Sequence, residues 1–235
     1  MRAVILAGGK GTRLRPYTTV LPKPLVPIAD RPILERIIRQ LASQGFERID
    51  LSVGHLGGLI KAVLDHVELP EGVELRYWWE DEPLGTAGPL HLIDDLDQPF
   101  LAMNGDILTT IDYADVLRAH EGSEASLTIA TRNQTVDLEL GVIESDDGLV
   151  TEFLEKPQLD FDVSMGIYAY DPDVLDVIPK GRFDFPDVVS ALIGADRKVA
   201  IYMAPAGAWF DIGTIPEHER ATAEIEANPE LFDDA

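Results

Sequence analysis

Residues 1–25 read MRAVILAGGKGTRLRPYTTVLPKPL. Val4, Ile5 and Leu6 form a short apolar run, the pattern of a buried first strand. The run breaks at Ala7-Gly8-Gly9, and Gly11 follows two residues later. Glycines directly after a strand free backbone N–H groups to turn toward an anion. Lys10, Arg13, Arg15 and Lys23 add four positive side chains, while Pro16, Pro22 and Pro24 stiffen the loop. Less ordering then remains to be done when a ligand binds. A strand opening into a glycine-rich, basic, proline-stiffened loop suits a polyphosphate. Neither standard phosphate pattern matches. The dinucleotide pattern needs glycine at position 14, which is Leu14, and Gly11-Thr12-Arg13 follows Lys10 where a P-loop requires Gly-Lys-Ser/Thr.

Outward from this loop the chain alternates. Ile33, Leu34, Ile37, Ile38 and Leu41 make a helical stripe over 32–44, and Gly45 stands where a C-cap belongs. Then come a strand at 49–53, a helix at 56–67, a strand at 73–79, a short helix at 86–94 and a strand at 100–103. This order predicts an α/β fold: a Rossmann-like, doubly wound, mostly parallel sheet. Ligands of such sheets bind beyond the carboxyl ends of the strands, where the strand order switches. Gly8-Gly9 and Asn104-Gly105-Asp106 both fall at such ends. The second half is more mixed, with a helix at 113–120 and strand-like runs at 125–131, 139–144, 149–154 and 163–170. A helix at 184–193, a strand at 198–203 and a last helix at 216–227 follow. An inserted antiparallel part is expected, within one domain spanning 1–235.

The chain has 235 residues, 46% hydrophobic and 26% charged, an ordinary globular balance. It has no cysteine, which removes disulfides, thiol catalysis and cysteine–metal sites. No apolar run approaches the ~20 residues of a membrane helix. Met1-Arg2 leads straight into the first strand, so no signal peptide, no membrane partner and a cytoplasmic location are expected. The net charge is −23, which argues against nucleic acid as a partner. Residues 10–31 hold five cations against one acid, a net of +4, so the other 213 residues carry −27. A positive island on a negative body points to an anionic ligand.

LAGGKGTRLRPYT followed by LPKPL resembles the start of the sugar-1-phosphate nucleotidyltransferases, also called NDP-sugar pyrophosphorylases. The resemblance covers roughly residues 1–220. It implies transfer of a nucleotidyl group from an NTP to a sugar 1-phosphate, with release of pyrophosphate. Leu6, Ala7, Gly8, Gly9, Gly11 and Thr12 would hold base, ribose and phosphates. Arg13 would hold the departing pyrophosphate, Lys23 the phosphates between, and Lys156 the attacking phosphate. Residues 80–88, EDEPLGTAGPL in the wider stretch to Leu90, look like the base-recognition loop, with Glu80, Gly85 and Thr86 at the base. A carboxylate accepts from guanine N1–H and N2–H₂, so Glu80 and Glu82 favour GTP over UTP, dTTP or CTP. Read alone, Thr86 is a helix cap.

An aspartate at a strand's carboxyl end can hold Mg²⁺, which takes oxygen ligands. The resemblance makes Asp106 one metal ligand and Asp211, in Trp209-Phe210-Asp211-Ile212-Gly213, the second. Asn104, Gly141, Glu155 and Ser164 would line the sugar pocket. The family often has Asn-Ala-Gly where this chain has Ser164-Met165-Gly166. Family members often assemble into homo-oligomers, and some carry a C-terminal β-helix, of which no hexapeptide repeat is seen here. Asp95-Leu96-Asp97 and Asp160-Phe161-Asp162 have the D-x-D spacing of a glycosyltransferase metal site, a rival reading. A non-catalytic sensor would be expected to lack Arg13, Lys23, Asp106 or Asp211. His55, His66, His91, His120 and His218 follow no ligand spacing.

With 42 acids and only six lysines among 19 basic residues, the surface reads as salt-adapted. Self-repulsion is screened by salt. The melting temperature is therefore expected to rise from low to molar salt; highest stability at low salt would refute this reading.

Overall fold

In the computed structural model, β1 (Arg2–Leu6) is the strand expected from the first apolar run. Its side chains alternate between two cores. Ala3 and Ile5 enter one and Val4 the other, all fully buried. A parallel strand covered on both faces reads as a continuous apolar run for this reason. The structure describes residues 1–232, so 233–235 of the expected domain lie outside the described residues.

The elements then run β2 (Pro27–Ile28), β3 (Arg31–Pro32), α1 (Ile33–Ser43), β4 (Arg48–Val53), α2 (Gly57–Leu64) and β5 (Glu74–Trp79). β6 (Phe100–Asn104), β7 (Ile107–Thr109), α3 (Tyr113–Glu121) and β8 (Leu127–Asp137) follow. The second half adds β9 (Val142–Asp146), β10 (Leu149–Leu154), β11 (Gln158–Tyr170), α4 (Phe185–Gly194), β12 (Val199–Met203), β13 (Trp209–Asp211) and α5 (Ile215–Ala227). A seven-stranded sheet has the order β12-β8-β11-β6-β1-β4-β5. β1 lies parallel to β4 and β6, β4 to β5, and β12 to β8. Only β11 runs antiparallel to both its neighbours. The expected mostly parallel α/β sheet is what is found. The chain adds β4 and β5 on one side of β1, then places β6 on the other. The switch point therefore lies between β1 and β6.

α1 buries the predicted stripe completely: Ile33, Leu34, Ile37, Ile38 and Leu41 are all inaccessible. It ends at Gly45, whose φ is +86°. The Gly45 N–H donates to the Ala42 carbonyl at 2.9 Å and the Phe46 N–H to the Leu41 carbonyl at 2.9 Å. This is a Schellman stop, with Phe46 buried behind it.

Three expectations need correction. The helix at 86–94 is only a 3₁₀ stretch, Gly88–Leu92, with Pro89 in its first turn. Its start is bonded across to another segment instead: the Ala87 and Gly88 N–H groups donate to the Phe183 carbonyl at 3.0 and 3.1 Å. The runs at 125–131 and 163–170 are the inner halves of longer strands. β8 and β11 continue outward as a two-stranded arm, pairing Arg132 with Val163, Gln134 with Phe161 and Val136 with Leu159. The run at 139–144 is shifted to β9, which pairs with β10 in a separate hairpin. The short strands β7 and β13 were not expected, and they pair with each other.

The Gly45 stop yields a test. Gly45→Ala places a side chain at positive φ, which costs about 1–2 kcal/mol. Urea unfolding should show a loss of that order; an unchanged midpoint would refute the assignment.

Candidate active site

The four parallel strands β5, β4, β1 and β6 end along one edge of the sheet. A cleft of about 310 Å³ opens there, lined by Leu6, Ala7, Gly8 and Gly9 after β1, by Lys23, by Glu80, Gly85 and Thr86 after β5, and by Asn104 and Asp106 at β6. These are ten of the residues singled out from sequence. The Ala7 N–H donates to the Ser52 carbonyl at 2.8 Å and the Gly105 N–H to the Leu6 carbonyl at 2.9 Å, which fixes the floor of the cleft.

Glu80 is held where the loop after β1 needs it. Its Oε1 accepts from the Ser52 hydroxyl at 2.8 Å and its Oε2 from the Leu84 N–H at 3.1 Å. A Cβ on Gly8 would collide with this carboxylate. Glu82 is exposed and does not line the cleft. A side chain at Gly85 or Gly88 would strike the backbone of Phe183 or Gly181, so these glycines admit another segment of the chain. Thr86 is no helix cap. Its N–H donates to Asp184 at 3.1 Å, and its hydroxyl accepts from the Phe185 N–H at 2.7 Å.

Asp106 and Asp211 are brought together by the pairing of β7 with β13. Ile107 stands opposite Asp211, and the Ile212 N–H donates to the Asp106 carbonyl at 3.0 Å. Lys23 forms an ion pair with the Asp106 carboxylate. Burial, and next the neighbouring Asp106 charge, push the Asp211 carboxyl above its ordinary value; Lys23 and Arg13 oppose the rise. Arg13 lies against Gly213, its guanidinium 3.3 Å from where a Cβ would stand there. Arg13 and Asp211 share a second cleft of about 690 Å³ with Arg132, Gln134, Trp209 and Arg220.

Six candidates lie in neither cleft. Gly11, at φ +57°, and Thr12 shape the 3₁₀ turn that presents Arg13. Gly141 lies against the Phe153 ring beside the hairpin, while Glu155 and Lys156 are exposed at the end of β10, Lys156 at φ +44°. The Ser164 hydroxyl sits at the bulge of β11, accepting from the Gly166 N–H at 3.3 Å and donating to the Tyr168 hydroxyl at 3.4 Å. The two D-x-D pairs lie away from the cleft. Asp160 accepts from Thr135 on the arm, and Asp95 sits at the opposite, amino end of β1 against Arg2.

The family model described as "Nucleotidyl transferase" matches residues 2–228. The chain belongs to the nucleotidyl transferase family. It is 33% identical over 222 residues to "Probable mannose-1-phosphate guanylyltransferase 3" of Oryza sativa subsp. japonica, covering 91% of this chain and 61% of that protein. It is 34% identical over 246 residues to "UTP--glucose-1-phosphate uridylyltransferase" of Synechocystis sp., covering 94% and 62%. The chain thus spans about three fifths of the length of these relatives. Among solved structures it resembles HddC from Yersinia pseudotuberculosis, with a TM-score of 0.72 at 26% identity over 95% of this chain and 99% of that one. The same protein complexed with GMP-PN gives 0.69 at 25%, with the same coverage.

For this nucleotidyl transferase, sequence reasoning missed Arg132, Gln134 and Arg220. Each lies outside the motifs, and Arg132 and Gln134 sit in the half of β8 that went unrecognised. The raised Asp211 carboxyl carries a signed prediction. Below its ordinary value of 3.8 the group is protonated whether folded or not, and contributes no penalty. As pH rises from 3.8 to the raised folded value the unfolded chain loses this proton first, so stability falls across that window and the loss is complete above it. In chelator, Asp211→Asn should raise the melting temperature at pH 7, and the gain should vanish well below pH 3.8. A variant that is less stable at neutral pH would contradict it.

Proposed function

We propose that this protein transfers a nucleotidyl group from an NTP, GTP being favoured, to a sugar 1-phosphate, giving an NDP-sugar and pyrophosphate. The observation that carries the reading is the meeting of Asp106, Asp211, Lys23 and Arg13 at the switch point between β1 and β6. Both substrates are polyanions, and the attacking phosphate oxygen is already ionised near neutral pH. No general base is needed, only positioning and neutralisation of charge.

The residues fit a magnesium ion. Asp106 and Asp211 are adjacent hard oxygen donors whose mutual repulsion a cation relieves. They would hold Mg²⁺, which supplies neutralising charge at the α-phosphate. Among the described residues no cluster of three or more acidic or histidine ligands occurs. Two carboxylates are enough for an ion that usually keeps several waters. Lys23 is placed for the phosphates beside Asp106, and Arg13 for the departing pyrophosphate. The backbone of Leu6–Gly9 supports base and ribose. Asn104, at the end of β6, stands beside Asp106 for the sugar.

Glu80 supports GTP because a carboxylate complements the two donors of guanine, and two of the relatives are guanylyltransferase and GMP-PN-binding proteins by name. The uridylyltransferase relative keeps UTP as the alternative. Among the described residues no helix is long and apolar enough to cross a membrane.

Pyrophosphate release over five NTPs and a panel of sugar 1-phosphates tests this. GTP is expected to give the fastest release, and Arg13→Ala to slow it about 100-fold, as loss of one electrostatic stabiliser does. Release with no pair of substrates, or an undiminished Arg13→Ala enzyme, would sink the reading or the role of Arg13 respectively.

A further inference from the structure

Arg13, Arg15, Tyr17 and Val20 all face solvent in the loop after β1. Exposed loops move more than the elements they connect. A group that stabilises developing charge must instead be fixed in advance. Part of the fixing is internal to the loop. The Leu14 N–H and the Thr18 hydroxyl both donate to the Gly11 carbonyl, at 3.0 and 2.7 Å, and Leu14 and Thr18 are buried. These bonds give the turn that carries Arg13 its shape. They do not place it against Asp211, which belongs to β13, far along the chain.

α5 supplies the missing tie. It starts just after Asp211 and Gly213, with Thr214 as its cap, the Thr214 hydroxyl accepting from the Glu217 N–H at 3.5 Å. His218 stands one turn in, its own N–H on the Thr214 carbonyl at 3.0 Å. The His218 ring reaches back to the basic loop twice. It stacks on Tyr17, with ring centroids 5.7 Å apart and planes inclined by 25°. Its Nε2 lies 2.7 Å from the Pro27 carbonyl. A carbonyl only accepts, so Nε2 carries a proton and donates, whether or not the ring is charged. One imidazole thus grips both ends of the stretch 17–27, in which Lys23 stands. Tyr17 also adjoins Thr18, which closes the turn of Arg13. The ring is not needed to dock the helix, because Ala221 and Ile225 are the residues α5 buries and His218 is only half-buried.

We propose that His218 is a positioning residue: by stacking on Tyr17 and holding the Pro27 carbonyl it fixes the basic loop against α5, and so sets Arg13 in place beside Asp211. This rests on the nucleotidyl-transfer reading and on the role of Arg13 in it. Rate falls steeply when a group that acts on the reacting atoms is displaced, even where the displacement begins far from the chemistry. The two contacts of the ring are separable. Phenylalanine keeps a face for Tyr17 and has no donor, whereas glutamine keeps a donor for Pro27 and has no ring.

The test is steady-state pyrophosphate release by wild type, His218→Ala, His218→Phe, His218→Gln, Arg13→Ala and the double variant Arg13→Ala/His218→Ala. Calorimetric titration of pyrophosphate into wild type and the His218 variants accompanies it. His218→Ala is expected to lower kcat about tenfold while leaving the KM for sugar 1-phosphate within about twofold. His218→Phe and His218→Gln, each keeping one contact, should lose about threefold, with melting temperatures near that of wild type. In the Arg13→Ala background, removing the ring should change kcat by less than about twofold, because the group it positions is gone. An undiminished kcat in His218→Ala overturns the proposal, as does the same loss with and without Arg13. If His218→Ala does not fold, His218→Phe and His218→Gln decide: full activity in both overturns the proposal. Wild type that releases pyrophosphate with no substrate pair defeats the nucleotidyl-transfer reading instead. The titration then decides the role of His218 separately, a weaker affinity for pyrophosphate in the variants supporting it and an unchanged one overturning it.

Discussion

Two carboxylates held side by side repel each other, and the arrangement is tolerable only where a cation stands between or beside them. Asp106 and Asp211 are held in that way by backbone hydrogen bonds, through the pairing of β7 with β13. Side-chain relaxation cannot undo it. Burial first, and this repulsion second, raise the pKa of Asp211, and part of the rise is offset by Lys23 and Arg13. These cations belong to the loop after β1, the other half of the site. The geometry is thus assembled before any ligand arrives, at the expense of local stability, as is usual where function and stability compete.

What was legible in the sequence was local. The apolar run of β1, the stripe of α1 and the stop at Gly45 each depend on neighbours within one or two turns, and each is found as read. So is the clustering of Gly8, Lys23, Glu80 and Asp106, because parallel strands all end at one edge once the alternation is known. What failed was non-local. Gly85 and Gly88 are visible as glycines, but the backbone near 181–184 that demands them is nearly a hundred residues away. The pairing of β7 with β13 joins two three-residue strands, too short to leave a periodic signal.

The arm is an instructive intermediate. Leu159, Phe161 and Val163 alternate with Asp160 and Asp162, the period of a strand. The irregularity between Ser164 and Tyr168 breaks that period from the buried half of β11. Residues 163–170 therefore stand out as an apolar run while 158–162 look like a polar loop. Exposure explains the composition: an arm with solvent along much of its length has no burial to select a long apolar stretch. Missing the outer half of β8 meant missing Arg132 with it.

The charge distribution ties these parts together. A body carrying −23 should repel a triphosphate and a sugar phosphate alike. Interactions across solvent decay over a Debye length of about 8–10 Å at moderate salt, so most of the acidic surface is screened at the clefts. Contacts inside a partly desolvated cleft are screened far less. Arg13 and Arg132 stay unpaired there despite being outnumbered, while most other cations are taken up by acidic neighbours elsewhere. An acidic surface and a site for polyanions are compatible only because this separation is kept: pairing Arg13 or Arg132 with an acid of the body would abolish the attraction while leaving the net charge unaltered.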